Sequence, residues 1–73
     1  MKKEEFLTSL IEALELENHE LNEKSIINLT SIMTLTLIVY LDENFNLRVT
    51  GKDLKNIDSV EKIIQLIGED KFE

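Results

Sequence analysis

Residues 31–46 read Ser-Ile-Met-Thr-Leu-Thr-Leu-Ile-Val-Tyr-Leu-Asp-Glu-Asn-Phe-Asn, and the fold class depends on whether they form a strand or a helix. Its middle alternates and is rich in β-branched residues, which is typical of a strand. A strand needs a partner for its backbone donors and acceptors, and the only other alternating segment is the brief Leu47-Arg48-Val49. The sequence therefore favours a helix here over a strand.

As a helix, this stretch carries two apolar stripes, and only one of them can face a small core. The stripe that we expect to pack inward comprises Thr34, Leu37, Ile38, Leu41 and Phe45. The stripe that we expect on or near the surface comprises Ile32, Leu35, Val39 and Tyr40. An exposed apolar strip marks a site for a partner or for self-association, and the alternative is that the short third helix covers it.

Helical spacing also marks the segments on either side. Helix one is predicted from about Lys3 to Leu16, with an apolar face of Phe6, Leu7, Leu10, Ile11 and Leu14. A short helical turn is predicted from Gly51 to Asn56. For the last helix we predict an N-cap at Asp58 with Glu61 completing a capping box, a stop at Gly68, and a buried face of Val60, Ile63, Ile64 and Ile67.

The remaining segments are predicted as loops. Residues 12–23 carry five glutamates and no lysine or arginine, which indicates a solvated helix end that runs into a loop. Ile26, Ile27 and Leu29 are expected to anchor this loop on the core. Residues 69–73 are expected to form a mostly polar tail. The predicted fold is all-α: a small four-helix bundle of three main helices and one short helix, in a single domain of residues 1–73.

Composition agrees with one small folded domain. The chain has 73 residues, of which 42% are hydrophobic and 32% are charged. It has no cysteine and no proline, which excludes a disulfide framework or thiolate metal cluster and disfavours a barrel of many short strands.

The net charge is −7, from 15 acidic and 8 basic residues. Such a chain repels nucleic acids and anionic lipids and attracts basic partners. The apolar run ending at Leu41 is about half of the ~20 residues that a membrane span needs. We expect a cytoplasmic monomer with no nucleic-acid partner and no membrane span. Because Ile32 to Leu41 carries no acid, the specific partner contact is expected to be apolar.

Residue patterns typical of catalytic sites are weak in this sequence. His19 is the single histidine, and it lies in the acidic loop rather than in a Ser-His constellation. Glu15, His19 and Glu23 are spaced by four and could form a weak metal site on a continued helix, although a solvated face is the favoured interpretation. The chain also lacks a glycine-rich phosphate loop. We therefore expect neither an enzyme nor a metal site.

Ser31 stands directly before the most apolar segment and follows Thr30. One interpretation is that Thr30 and Ser31 only cap the helix. The other is that Ser31 is modified, because a phosphodiester on its oxygen would lie at the positive end of the helix dipole.

Here the chain resembles the acyl carrier protein family. The likeness rests on Leu29-Thr30-Ser31-Ile32-Met33 and on later residues with similar spacing: Leu37, Leu41, Asp42-Glu43-Asn44-Phe45, Val49, Asp53, Ile57, Val60 and Ile67. It covers roughly residues 4 to 68. The family's Asp-Ser-Leu motif is Thr30-Ser31-Ile32 here, and Met33 and Thr36 stand where acids are common.

The resemblance implies a function without catalysis. It implies that Ser31 carries 4′-phosphopantetheine, taken from coenzyme A by a phosphopantetheinyl transferase, so that the loaded form is a phosphoprotein and thioester carrier. Partner enzymes that load or use the acyl group in fatty acid, polyketide or aminoacyl chemistry are expected to contact Ile32, Leu35, Val39, Asp42 and Glu43. The departures favour a dedicated pathway.

Two other functions stay open at this point. The chain could be an unmodified acidic helical bundle that binds another protein through Ile32, Leu35 and Val39. It could also be a small metal-dependent enzyme that uses His19.

Overall fold

The computed structural model describes residues 1–16 and 21–72. In this part of the chain α1 spans Lys3–Leu14, α2 Ser31–Phe45, α3 Gly51–Leu54 and α4 Val60–Ile67, and a 3-10 turn at Glu69–Lys71 follows. The described residues form no strand, and one isolated antiparallel bridge pairs Ile26 with Ser59. The prediction of a small all-α bundle with four helices is confirmed. None of these helices combines the length and apolar character that crossing a membrane requires.

Helix α2 is capped at both ends, which helps its β-branched residues to remain helical. At its start the Thr30 hydroxyl accepts a hydrogen bond from the Met33 N–H at 3.1 Å. At its end Asn46 adopts the left-handed conformation with φ 52°, and its N–H donates to the Asp42 carbonyl at 3.0 Å. The middle of α2 alternates as a strand would. It is helical because none of the described residues forms a strand that could pair with it.

One core lies between the main helices. Leu37, Tyr40 and Leu41 are the buried residues of α2, spaced at i, i+3 and i+4. The other buried side chains come from α1, the loop, α3 and α4: Phe6, Leu10, Leu14, Ile27, Leu54, Val60, Ile63, Ile64 and Ile67. The predicted buried face of α4 is therefore confirmed. Of the residues predicted to pack inward on α2, Leu37 and Leu41 are buried, and Thr34, Ile38 and Phe45 are half-buried.

Four aromatic side chains meet in one cluster, which corrects one prediction. The Phe6 ring centroid lies 6.2 Å from Tyr40, 5.9 Å from Phe45 and 5.3 Å from Phe72. Tyr40 was predicted on or near the surface, but its ring is buried because it packs against Phe6 and Phe45. The predicted mostly polar tail begins with an exposed 3-10 turn at Glu69–Lys71, and Phe72 after this turn packs against the core.

The loop before α2 is anchored by its backbone. The Ile27 N–H donates to the Asp58 carbonyl at 2.9 Å, and the Val60 N–H donates to the Ser25 carbonyl at 3.0 Å. Ile27 is buried as expected, but Ile26 is 78% exposed. Successive side chains of extended backbone point to opposite sides, so only one of these two neighbours can reach the core.

Three helix boundaries differ from those predicted, and the simplest case is α3, which ends at Leu54 and not at Asn56. Helix α1 ends at Leu14, two residues early, because Glu15 turns the chain with φ 53°. The N-cap of α4 is Ser59, whose hydroxyl accepts from the Lys62 N–H at 3.3 Å, rather than Asp58. The Asp58 carboxylate instead pairs with Lys62 Nζ at 3.1 Å.

Lys3 connects the start of α1 to two distant segments. Its Nζ lies 2.7 Å from Glu23 Oε1 in the loop and 3.5 Å from Glu69 Oε1 in the 3-10 turn. The hydrogen bond to Glu23 raises the pKa of the Lys3 ammonium, and attraction to both carboxylates adds to the rise against an opposing desolvation. Of the acidic run, Glu12, Glu15 and Glu23 are exposed as expected, and Glu23 also takes part in this ion pair.

Candidate functional site

Ser31 occupies the first position of α2, and it is exposed. Thr30 supplies the cap before it, so of the two capping residues considered it is Thr30 that accepts the Met33 N–H. The first N–H groups of a helix have no carbonyl partner within the helix, and together with the dipole they favour negative charge. The first turn of α2 carries no acidic residue that would oppose such a charge.

An exposed apolar strip begins beside Ser31. It consists of Ile32, Leu35 and Val39, which are 77%, 65% and 53% exposed. At 1.5 Å per residue the strip extends about 10 Å along α2. The expectation that these residues face outward is confirmed, and the short helix α3 does not cover them. Asp42 and Glu43 are exposed at the far end of α2.

A partly enclosed groove of about 340 Å³ lies between the loop before Ser31, the first turns of α2, and α3. Its apolar walls include Leu29, Leu54 and Ile57, and Thr34 enters it from one turn beyond Ser31. Lys55 and Asp58 also line this groove, so it holds one charge of each sign, and the Asp58 carboxylate pairs with Lys62. The sequence does not mark this groove, because its walls come from three separate segments.

Tyr40 lies between the apolar strip and the core. Its Oη accepts a hydrogen bond from Ser9 Oγ of α1 at 2.8 Å. Burial raises the pKa of the Tyr40 phenol above its ordinary value of 10.0, and the hydrogen bond from Ser9, which favours the phenolate, opposes that shift. The pair fixes the α2 face next to the strip against α1. Nothing in the sequence pattern linked Ser9 to this region.

The candidate metal set of Glu15, His19 and Glu23 is not assembled by the described residues. His19 lies outside them, Glu15 is exposed, and Glu23 pairs with Lys3. Across residues 1–16 and 21–72 no group of three histidine, aspartate or glutamate side chains is placed to hold a metal ion.

Comparisons of this chain with models of protein families, with curated proteins and with solved structures give no match, so its function must be inferred from its own residues and their geometry.

Proposed function

We propose that this chain is an acyl carrier protein of a specialised pathway, working as a monomer in the cytoplasm. Ser31 would hold 4′-phosphopantetheine through a phosphodiester, and the thiol of that group carries an acyl or aminoacyl cargo as a thioester. The observation that carries the proposal is the exposed Ser31 at the first position of α2, directly beside the exposed apolar strip.

The local charge supports attachment at Ser31. In loading, the Ser31 oxygen loses its proton and forms the bond to phosphorus, while the diphosphate bond of coenzyme A breaks and adenosine 3′,5′-bisphosphate leaves. The resulting phosphodiester carries a negative charge at the helix N-terminus. Free N–H groups and the helix dipole favour that charge, and no acid lies in the first turn.

The replacement of the family's aspartate by Thr30 is compatible with this geometry. Thr30 retains the capping hydrogen bond to Met33 and adds no negative charge next to Ser31. A transferase for this chain must then recognise a neutral residue before the serine and an apolar one after it.

The groove beside α2 supports a resting place for the arm or its cargo. Leu29, Leu54 and Ile57 offer apolar contact, and Lys55 and Asp58 place one charge of each sign in the same groove. The apolar strip would then meet partner enzymes, with Asp42 and Glu43 bordering it. Because the cargo is tethered, weak contacts with each partner suffice for delivery.

Intact-mass spectrometry tests the proposal. The purified chain is incubated with coenzyme A and a broad-specificity phosphopantetheinyl transferase. We expect the wild type to gain one phosphopantetheinyl group and Ser31→Ala to gain none, while Ser25→Ala, a matched loss of a serine hydroxyl, is still loaded. Loading of the Ser31→Ala variant, or an unmodified wild type, contradicts the proposal.

The second candidate is an unmodified acidic bundle that binds another protein. The exposure of Ile32, Leu35 and Val39 favours it, because it needs the strip and not the serine hydroxyl. A wild type that stays unmodified, together with a Ser31→Ala variant that still binds a stable partner, would select this function over carriage.

A further inference from the structure

A second apolar groove runs between α1 and α2. It has a volume of about 410 Å³ and is lined on the α2 side by Leu35, Val39 and Tyr40, with Ala13 contributed by α1. Leu35 and Val39 are two of the three strip residues, so the strip does not end on the convex surface of α2. It continues into a depression between two helices, and a depression holds a partner's side chain better than a flat surface does.

Acidic residues border this groove. Glu43 lines it at the far end of α2. On α1 a neighbouring depression of about 350 Å³ is lined by Glu5, Ser9 and Glu12. The two depressions meet at the hydrogen bond between Ser9 and Tyr40, because Ser9 lines one and Tyr40 lines the other.

The border has one sign of charge. Among the described residues that line the two depressions, acids occur and neither lysine nor arginine does. The ion pairs of the described chain use other acids, namely Glu23, Asp58 and Glu69. The Glu43 carboxylate in the groove, and the Glu5 and Glu12 carboxylates in the neighbouring depression, therefore attract positive charge from outside.

These features select one kind of occupant. A helix with an apolar stripe and flanking lysines or arginines would place its apolar side chains against Leu35, Val39 and Ala13 and its cations against the glutamates. An anionic lipid surface is repelled by the same glutamates. A second copy of this chain would bring the same acids together in molecules of net charge −7.

We propose that the groove between α1 and α2 binds a basic amphipathic helix of a partner protein. The partner's identity as an enzyme that loads or uses the acyl group rests on the proposed function. The docking surface itself does not depend on that function. Leu35 lies about one turn from Ser31, so a partner held here reaches the attachment point. Helix α1, through Glu5, Glu12 and Ala13, is then part of the recognition surface.

A designed peptide tests the proposal on the full chain. The probe is an 18-residue helix of leucine and lysine, with leucines at i, i+3, i+4 and i+7, added during an amide NMR titration. We expect shifts concentrated at Ala13, Leu35, Val39 and Glu43. The control peptide has glutamate in place of every lysine, and we expect it not to bind.

Two double variants test separately the acidic residues and the apolar residues of the docking surface. The double variant Glu12→Lys, Glu43→Lys should weaken the peptide's Kd by about tenfold or more, and Leu35→Ser with Val39→Ser should weaken it similarly. Asp70→Lys reverses an exposed charge that does not line the groove and should leave the Kd within about twofold. Circular dichroism checks that each variant is folded.

Three results would overturn the proposal: an unchanged Kd in the double charge variant, shifts that map to α4 instead, or a dimer in light scattering that Leu35→Ser breaks. The last would assign the groove to a second copy. Loading of Ser31 is measured separately by mass. A chain that is loaded but does not bind the peptide contradicts this inference alone, and one that binds the peptide but is never loaded contradicts only the carrier function.

Discussion

Ser9 Oγ donates a hydrogen bond to Tyr40 Oη at 2.8 Å, across 31 positions of sequence. It joins α1 to α2 at the point where the apolar strip turns into the groove between these helices. The Tyr40 ring also packs against Phe6 and Phe45. One side chain thereby connects the core to the candidate recognition surface.

The raised pKa of Tyr40 predicts a loss of stability in alkali. The folded state holds the phenol proton more tightly than the unfolded state, so this contribution is complete below the unfolded pKa of about 10 and is lost as the pH rises through the higher folded value. Tyr40 is the only tyrosine and the chain has no tryptophan, so the ultraviolet absorbance of the phenolate follows this group alone. We expect its phenolate to appear above pH ~10.

Tyr40→Phe is the control for this titration. It should lose about 0.5–1.5 kcal/mol at neutral pH, because the part-buried Ser9 hydroxyl loses its partner. Thermal unfolding at neutral and alkaline pH should then show a smaller alkaline loss than the wild type shows. The remaining loss includes Lys3, whose raised pKa acts in the same direction. A wild-type phenol that titrates at or below its ordinary pKa contradicts the prediction.

Leu37 and Leu35 form a matched pair on α2, since Leu37 is fully buried and Leu35 is 65% exposed. Leu37→Ala should destabilise the fold by about 2–5 kcal/mol, because it removes core contacts and leaves a cavity. Leu35→Ala should change stability by less than about 0.5 kcal/mol. Urea denaturation followed by circular dichroism measures both. Equal losses in the two variants would show that the strip is packed rather than exposed.

Two substitutions of Thr30 separate the effect of its capping hydrogen bond from the effect of a charge at the position before Ser31. Thr30→Ala removes the acceptor for the Met33 N–H and should lower the free energy of unfolding by about 1 kcal/mol. Thr30→Asp retains an acceptor and adds a favourable charge at the helix N-terminus, so its stability should equal or exceed that of the wild type. Chemical denaturation of the three proteins tests this order, and a Thr30→Ala variant as stable as the wild type would contradict it.

Phe72 is predicted to stabilise the bundle from beyond α4. Its ring centroid lies 5.3 Å from Phe6 and 5.7 Å from Phe45. Phe72→Ala should lower stability by about 1–3 kcal/mol through lost apolar burial and aromatic contacts. Lys71→Ala, an exposed neighbour, serves as the control and should change little. Equal melting temperatures for the wild type and Phe72→Ala would place Phe72 outside the core.

Periodicity was sufficient for α1, α4 and most of the buried faces, whereas α2 also needed the argument that a strand there would have no partner. In α4 the spacing of Val60, Ile63, Ile64 and Ile67 predicts the side that is buried, because a helix brings residues three and four apart onto one face. The same rule separates Leu37 and Leu41 from Ile32, Leu35 and Val39. The position of Ser31 at the start of α2 also follows from local pattern, since capping depends on residues within one turn.

The burial of individual side chains and the groove between α1 and α2 depend on tertiary contacts. Tyr40 faces the core because it packs against Phe6 and Phe45. Phe72 is held against the core because it meets the same two rings. Ile26 and Ile27 are equally apolar, but only Ile27 is buried. The backbone hydrogen bonds of Ile27 with Asp58 and of Ser25 with Val60 hold this segment so that Ile27 faces the core. The groove between α1 and α2 has walls from residues more than 20 positions apart. Local spacing determines which side of a helix is apolar, but only the packing of several helices determines which apolar atoms remain exposed to water.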